Sequence, residues 1–322
     1  MAGVNTPVVA GTPAAAPRVA TGEVRLRRDT WRGWPGAIFL NNGLVEVVIV
    51  PSIGRIMQFR FVGEAEGSFW ENPNTEGWQT RPDGREWINF GGDKSWPAPQ
   101  SDWAARTPRA WPPPPAFDQA EHAALIDDGT VTLVSPVDPH FGMRSHRTIR
   151  LDPHRSFMTV NTSYEKVIGE PVRVSVWVIT QLKEPLGVYV PVPASSRFSR
   201  GYTLLSEAPP PGMELKDGLL AVKRNPAASH KIGSDAGTLV WVGERSVLRM
   251  DSPRVRGASY PDNGSSAEVY TSADPLPYVE LEMLGPLESL KVGERLDQAC
   301  VYTLLERTED SPEAEARKVL AR

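Results

Sequence analysis

Most of the chain alternates between apolar and polar residues with a period of two, which is typical of half-buried β-strands. Runs such as Arg144–Leu151, Phe157–Tyr164 and Val172–Gln181 are also rich in β-branched side chains. Tight-turn sequences such as Asn41-Asn42-Gly43 separate neighbouring runs. About fifteen strands without crossover helices predict an all-β fold, a large antiparallel β-sandwich whose sheets pack face to face.

One helix is predicted, at the end of the chain. Ser311 is a suitable N-cap, Pro312 suits the first helical position, and acidic residues precede basic ones along the segment. The first residues are mostly Ala, Pro, Val, Thr and Gly without pattern, which predicts a disordered tail. We therefore divide the chain into a tail over 1–22, a β-sandwich domain over 23–306 and a C-terminal helix over 307–322.

Residues 64–118 break the alternation. Six of the ten Trp residues lie between Trp70 and Trp111, which argues against disorder because Trp side chains bury large areas. Within this segment, Trp87–Gln100 combines two Trp, two adjacent Gly and several polar residues, and Pro97 with Pro99 excludes a helix. We predict a shaped, rigid loop that forms one wall of a sugar-sized pocket.

The composition limits the kinds of molecule that the protein can bind. The net charge is −4 and the isoelectric point is about 5.8, so no basic field is available for nucleic acid or an anionic membrane. The single cysteine, Cys300, excludes an internal disulfide framework and predicts a small core residue. No apolar stretch approaches the ~18 residues of a membrane span. The N-terminal residues lack signal-peptide features, which leaves open both a soluble cytoplasmic protein and one exported with its signal removed; oligomeric state is also open.

Neither a cofactor nor a metal is expected. Gly91–Ser95 resembles the end of a phosphate-binding loop, but Asp93 separates the Gly pair from Lys94 and no helix can continue into Pro97. The five histidines include no pair at metal-ligand spacing. His146 lies in a predicted strand, where either a solvated or a pocket-facing position is compatible with the pattern.

The run Tyr278–Leu284 carries two candidate carboxylates. Its alternation places the apolar residues on one face and Glu280 with Glu282 on the other, about 6.6 Å apart along the strand. The commonest explanation for this pattern is a strand with a wet outer face. The alternative is a sheet face that binds a ligand.

Five further residues are candidates for ligand binding. Gln181 ends a strand and can both donate and accept, which suits either a sugar hydroxyl or a backbone group. Arg55 enters a strand from a turn and either pairs with a surface carboxylate or lines a pocket. In the Trp87–Gln100 segment and just beyond it, Trp96 and Trp103 are candidate pocket walls and Gln100 a polar contact.

These segments resemble the galactose-mutarotase-like superfamily, and within it a branch of uncharacterised bacterial domains. The resemblance spans most of residues 23–306 and is strongest in Asn89-Phe90-Gly91-Gly92-Asp93-Lys94-Ser95-Trp96-Pro97-Ala98-Pro99-Gln100. Pro51–Arg55, Phe69–Pro73 and Glu280–Glu282 also contribute. The resemblance implies a large antiparallel β-sandwich that binds carbohydrate on its concave face.

The resemblance also implies a chemistry. In mutarotases a strand Glu removes the proton of the anomeric hydroxyl and a His protonates the ring oxygen; Glu282 matches the Glu. Phe90 and Thr180–Gln181 stand where the two histidines are expected, and none of these side chains can replace His near neutral pH. Lys94, desolvated among tryptophans, is then a candidate acid or a group that binds a sugar carboxylate or phosphate, and His146 is the other candidate acid.

Three functions remain open from the sequence, all with a small-molecule carbohydrate as partner. The first is an isomerase of the aldose 1-epimerase type with Glu282 as base. The second is a non-catalytic carbohydrate-binding protein that uses the tryptophans, Lys94, Gln100 and Gln181. The third is a lyase or hydrolase on modified sugars that uses Glu280 or Glu282 with Lys94. The missing histidines favour binding or altered chemistry over ordinary mutarotation.

Overall fold

The alternating pattern folds into two antiparallel sheets in the computed structural model, which describes residues 18–79 and 86–322. The strands in chain order are β1 (Arg25–Trp31), β2 (Trp34–Asn41), β3 (Val45–Val50), β4 (Arg55–Phe61), β5 (Asp93–Ala98), β6 (Ala123–Asp127), β7 (Thr130–Val134), β8 (Met143–Leu151), β9 (Phe157–Lys166), β10 (Val172–Lys183), β11 (Gly187–Pro191), β12 (Thr203–Leu204), β13 (Glu214–Lys216), β14 (Leu219–Val222), β15 (His230–Ser234), β16 (Thr238–Val242), β17 (Ser246–Asp251), β18 (Ala267–Thr271), β19 (Tyr278–Leu284), β20 (Glu288–Leu290) and β21 (Arg295–Glu306). The helices are α1 (Trp103–Arg106), α2 (Pro115–Asp118) and α3 (Pro312–Leu320).

The first sheet has the order β1-β2-β3-β4-β5-β10-β19-β18-β15-β12, with β20 also paired to β10. The second sheet has the order β13-β14-β11-β16-β17-β21-β9-β8-β7-β6. The predicted all-β antiparallel sandwich is therefore confirmed. Its interior includes the apolar face of β19 and, as predicted, the buried Cys300 of β21.

Asp93 of β5 lies between the sheets and connects them. Its carboxylate accepts hydrogen bonds from Thr180 Oγ1 and Tyr302 OH, both at 2.7 Å, and pairs with the guanidinium of Arg147. Thr180 belongs to the first sheet, whereas Arg147 and Tyr302 belong to the second, and all four side chains are buried. A buried charge is tolerated only when it is paired and hydrogen-bonded. This network therefore fixes the face of β5 that carries Asp93 toward the interior.

The prediction that Trp87–Gln100 is a loop throughout is wrong for Asp93–Ala98, which form β5. Pro97 stands opposite Val176 of β10 in this strand. On its other side β5 pairs with β4 only at Ile56↔Asp93. Most of this edge of β5 therefore has no backbone hydrogen bonds to a neighbouring strand that a proline could interrupt. β15 was also not predicted, because it is short and its residues do not alternate clearly between apolar and polar.

The two adjacent glycines place β5 in the sheet. Gly91 and Gly92 have φ values of 91° and 72°, a conformation that favours glycine. A Cβ on Gly91 would lie 2.3 Å from the carbonyl oxygen of Trp70, and one on Gly92 would lie 2.5 Å from that of Ile56. Both positions therefore need glycine, because the backbone passes directly against neighbouring chain segments.

The C-terminal helix is confirmed, with Ser311 Oγ accepting from the backbone N–H of Ala314 at 3.3 Å. Its buried residues pack on Tyr189 and Val240 of the second sheet. None of the helices within the described ranges is long and apolar enough to cross a membrane. Of the predicted tail, residues 1–17 lie outside the described part of the chain. From Arg18 onward it contacts the sandwich, and Arg18 pairs with Glu64 at 3.2 Å.

Asp93→Asn keeps the shape of the side chain but removes the charge that faces Arg147. We expect the free energy of unfolding to fall by about 3–5 kcal/mol, because the Arg147 charge stays buried without its partner. Urea unfolding followed by Trp fluorescence measures this loss. Asp297→Asn, an exposed change in β21, is the matched control and should leave stability within about 0.5 kcal/mol. Equal stability of the two variants would contradict the role given to Asp93.

Candidate functional site

Side chains on the opposite face of β5 begin a second polar cluster. Because side chains alternate along a strand, Lys94 and Trp96 point away from the interior that holds Asp93. The register pairs Lys94 with Ile179, Ile179 with Glu282, and Glu282 with Glu268. Directly opposed residues share a face, so these side chains form one row across β5, β10, β19 and β18.

A second row lies beside the first on the same face. It pairs Gln181 with Glu280, Glu280 with Tyr270, and Tyr270 with Lys231, and so crosses β10, β19, β18 and β15. We use the name outer-face cluster for the charged and amide side chains of the two rows together with Arg55, the first residue of β4. Its members are Arg55, Lys94, Gln181, Lys231, Glu268, Glu280 and Glu282.

Lys231 holds two carboxylates of the cluster together. Its Nζ lies 2.6 Å from Glu268 Oε2 and 2.9 Å from Glu282 Oε2, and both carboxylates are buried. Trp177 Nε1 also donates to Glu282 Oε2. Burial raises the pKa of Glu268 well above its ordinary value, with Lys231 acting in the opposite direction. Burial disfavours the Lys231 ammonium, but the two carboxylates more than compensate and raise its pKa.

Lys94 is a second buried cation on this face. Its Nζ lies 3.5 Å from Glu280 Oε1 and 4.8 Å from the centre of the Trp96 ring. Burial lowers the pKa of Lys94, and Glu280 acts against that shift. Gln181 Nε2 donates to the same Glu280 oxygen at 2.8 Å, and burial raises the pKa of Glu280 against the effect of Lys94. Lys94 is therefore easier to deprotonate than an exposed lysine.

Arg55 has a buried carboxylate as its partner, not a surface one. Its Nη2 donates to Asp118 Oδ1 at 2.7 Å and its Nη1 to the Gly91 carbonyl at 2.9 Å. Trp96 Nε1 donates to the same Asp118 oxygen at 2.9 Å. Burial lowers the pKa of Arg55, and Asp118 opposes that effect. Arg55 therefore holds α2 and the glycine turn in place beside Lys94.

Tryptophans cover one end of the cluster. The Trp96 ring centre lies 5.4 Å from that of Trp177 and 5.7 Å from that of Trp103. Trp103 is fully buried and donates from Nε1 to the Pro97 carbonyl at 2.8 Å. Trp103 therefore packs against Trp96 in a fixed position. Gln100 lies exposed in a single 3₁₀ turn beyond β5, and no described contact joins it to the cluster.

His146 lies on the second sheet, away from this face. Its neighbour Arg147 points into the interior, so His146 points outward, where its Nε2 lies 2.8 Å from Glu165 Oε2. Across residues 18–79 and 86–322, none of the five histidines forms a hydrogen bond or an ion pair with Lys94 or Glu282. Nor does any group of three or more His, Cys, Asp or Glu in these ranges have an arrangement that could hold a metal ion.

Several buried polar atoms at the cluster have no hydrogen-bond partner among the described residues. They are Lys94 Nζ, Asp118 Oδ2, Gln181 Oε1, Glu268 Oε1 and Glu282 Oε1. Buried polar atoms are nearly always hydrogen-bonded, and an unpartnered one calls for an explanation. A donor and four acceptors that are free at one polar cluster suit a ligand with several hydroxyl groups.

Part of this arrangement could be predicted from the sequence, namely Lys94, Glu280 and Glu282. The wet outer face that the alternation favours for the two glutamates is wrong, because Glu282 is fully buried and the Glu280 side chain is 13% exposed. Glu268 and Lys231 were not predicted. A hairpin centred on Pro275 would have paired Glu268 with Glu282, since each is seven residues from that proline. Lys231 carries no such signal, because its place depends on the order of the strands.

Comparisons with known proteins agree with this fold. A family model described as "Domain of unknown function (DUF4380)" matches residues 36–248, and the search of curated proteins found no match. A galactose mutarotase-like protein from Lactobacillus casei is 10% identical, with a TM-score of 0.58 over 84% of this chain and 100% of that chain. A TPR-domain containing protein from Parabacteroides distasonis is 14% identical, with a TM-score of 0.54 over 85% of this chain and 48% of that one. A galactose mutarotase related enzyme from Lactobacillus acidophilus is 10% identical, with a TM-score of 0.51 over 85% and 99%.

At these identities the likeness shows a shared fold, the galactose mutarotase-like β-sandwich. The family match includes Lys94, Gln181 and Lys231 but ends before β18 and β19, which carry Glu268 and Glu282. The family match therefore assigns no chemistry to the outer-face cluster.

Lys231→Met removes the cation between two buried carboxylates. At about pH 8 we expect a loss of about 3–5 kcal/mol in the free energy of unfolding, because both carboxylates then lack a counter-ion. The pKa of Glu268 is raised in the folded protein, so Glu268 binds its proton more tightly there and its contribution to stability falls as pH rises through the folded-state pKa. The loss should therefore be smaller at about pH 5.

Urea unfolding at the two pH values measures this difference. Lys223→Met, an exposed change in the loop after β14, is the control. A Lys231→Met penalty that is the same at both pH values would contradict the coupling of Lys231 to buried carboxyl groups.

Proposed function

The chain belongs to the family described as a domain of unknown function (DUF4380), and from its outer-face cluster we propose that it binds a carbohydrate there and interconverts the anomers of that sugar, as an aldose 1-epimerase does. The observation that carries this proposal is the pair of buried carboxyl groups, Glu268 and Glu282, held opposite each other by Lys231. In each of them Oε1 has no hydrogen bond of normal geometry, and Asp262 is a third carboxyl group close to Glu268. The position of Glu268 and Glu282 on the same sheet face of a mutarotase-like fold supports a sugar as the ligand.

The surroundings suit a sugar more than an apolar or strongly charged ligand. Gln181 and Lys94 offer free polar atoms beside the glutamates, and Trp96 provides an aromatic surface at the same end. Such mixtures of an aromatic surface with a few placed polar groups are typical of small-molecule sites. Arg55 keeps Trp96 and the glycine turn in place without contacting the ligand.

Glu282 acts as the general base. Its Oε2 is taken by Trp177 and Lys231, which leaves Oε1 free for the proton of the anomeric hydroxyl. Two fixed donors on one oxygen also hold the carboxylate in a single orientation. A base of this kind must lie within about 2.6–3.2 Å of the oxygen that it deprotonates.

Glu268 acts as the general acid in place of the absent histidine. Neighbouring strands lie about 4.8 Å apart, so carboxyl groups on β18 and β19 can reach two neighbouring oxygens of one sugar ring. Burial raises the pKa of Glu268 well above its ordinary value, which favours the protonated form that a general acid needs.

The proposed reaction then conserves every proton. Glu282 takes the proton of the anomeric hydroxyl while Glu268 gives its proton to the ring oxygen, and the bond between the anomeric carbon and the ring oxygen breaks. The open-chain aldehyde turns about its first carbon–carbon bond and closes on its other face. Closure returns both protons to their original carboxyl groups.

Glu282→Gln should slow turnover strongly while the sugar still binds. We expect anomer exchange to slow by about 100-fold or more, because a general base contributes about 10²–10⁴ to the rate. Polarimetry and exchange NMR on a panel of free sugars, including uronates, measure the rate, and calorimetry measures binding. Glu288→Gln, an exposed change in β20, is the control.

If a sugar binds and the wild-type protein does not accelerate its anomer exchange, the isomerase proposal fails. The second candidate, a non-catalytic carbohydrate-binding protein, then stands; it is favoured by the distance of His146 from this face and by the tight hold of Lys231 on both glutamates. Product formation in place of exchange would indicate the third, a lyase or hydrolase that uses Glu280 or Glu282 with Lys94.

Lys94→Met and Glu268→Gln separate the two candidate acids. We propose that Lys94 binds ligand hydroxyls, so Lys94→Met should raise KM about tenfold and leave kcat nearly unchanged. Glu268→Gln should lower kcat by about 100-fold with little change in KM. Steady-state kinetics on the same sugar decide between them. A large loss of kcat in Lys94→Met alone would identify Lys94 as the acid.

A further inference from the structure

A cavity opens beside the outer-face cluster, next to the segment that leads into β5. Its volume is about 530 Å³, within the range of small-molecule sites. We call it the Trp78 cavity, and its lining includes Asn72, Trp78, Trp87 and Asn89. Among the described residues that line it, Glu86 is the only charged one.

The Trp78 cavity contains an indole ring without a packing partner and buried polar atoms without a hydrogen-bond partner. Trp78 leaves 55% of its surface exposed, although burial of an indole is strongly favourable. In the described part of the chain, Trp87 Nε1 and both polar atoms of the Asn89 amide have no hydrogen-bond partner of normal geometry, although they are buried. The backbone carbonyl of Asn89 accepts a hydrogen bond from Asn72 Nδ2 at 2.9 Å, which fixes the backbone from which the amide extends.

A continuous line of indole rings joins the Trp78 cavity to the catalytic pair. The Trp87 ring centre lies 5.0 Å from that of Trp111, which lies 5.9 Å from that of Trp96. Trp96 in turn lies 5.4 Å from Trp177, whose Nε1 donates to Glu282. Trp111 is 44% exposed, so part of this line faces solvent.

A second connection runs along β19. The Asn89 amide lies close enough to the Tyr278 phenol to lower its pKa, against the larger effect of burial, which raises it. Tyr278 is on the same face of β19 as Glu280, two residues away. The cavity and the outer-face cluster are therefore neighbours on one surface.

We infer that the Trp78 cavity is a second carbohydrate subsite, so that the ligand is an oligosaccharide or glycoside of at least two sugar units. This inference rests on the proposed function. A sugar ring placed against Trp78 would cover the exposed indole, and its hydroxyls would bond the Asn89 amide and Trp87 Nε1. The next unit would lie toward Trp111 and Trp96, with the terminal unit at Glu268 and Glu282.

Calorimetric titrations of matched monosaccharides and tetrasaccharides test this inference. The probes are glucose, galactose, mannose and xylose, and a tetrasaccharide built from each. The wild-type protein should bind the tetrasaccharide of its preferred sugar about tenfold more tightly than the monosaccharide. Trp78→Ala should remove most of this gain and leave the monosaccharide affinity unchanged, and Trp78→Phe should restore part of it.

Leu215→Ala, an exposed change on β13, is the matched control and should retain the full gain. Equal affinity for monosaccharide and tetrasaccharide would overturn the subsite and leave the proposed function standing. So would a Trp78→Ala variant that weakens both probes equally. Failure of every probe to bind the wild-type protein would overturn both proposals.

Discussion

The alternation of side chains along β5 is the constraint on which the rest of the structure depends. Asp93 points inward and joins the two sheets through Arg147 and Tyr302, and the next residue, Lys94, must then point outward. One peptide unit thus separates the contact that holds the sandwich together from the face that we propose binds sugar. A shift of register in β5 by one residue would exchange the two faces and destroy both.

The outer-face cluster shows how charge is kept in a buried site. Lys231 lies between the carboxyl groups of Glu268 and Glu282, and Lys94 lies beside Glu280, so each of these carboxyl groups has a cation next to it. Burial of such groups costs stability unless each has its partner, yet several of their atoms stay free of hydrogen bonds. We interpret this as a site whose remaining bonds are completed by the ligand, at some cost to the stability of the protein alone.

The sequence allowed the fold to be predicted because alternation, turns and the Ser311 cap are local signals. It also placed Glu280 and Glu282 on one face of a strand. The sequence is not sufficient where the outcome depends on which strands are neighbours. The composition of Trp87–Gln100 predicts a loop where β5 forms, and Lys231 and Glu268 reach Glu282 only through the order β19-β18-β15. The pattern around His146 does not show that its strand belongs to the second sheet.

The position of a bound sugar relative to Glu282 tests the account most directly. A crystal structure of the protein soaked with a sugar that binds in calorimetry should place the anomeric oxygen within about 2.6–3.2 Å of Glu282 Oε1. The ring oxygen should lie at a similar distance from Glu268. A sugar bound elsewhere, with Lys94 and Glu282 facing different cavities, would contradict the single site described here.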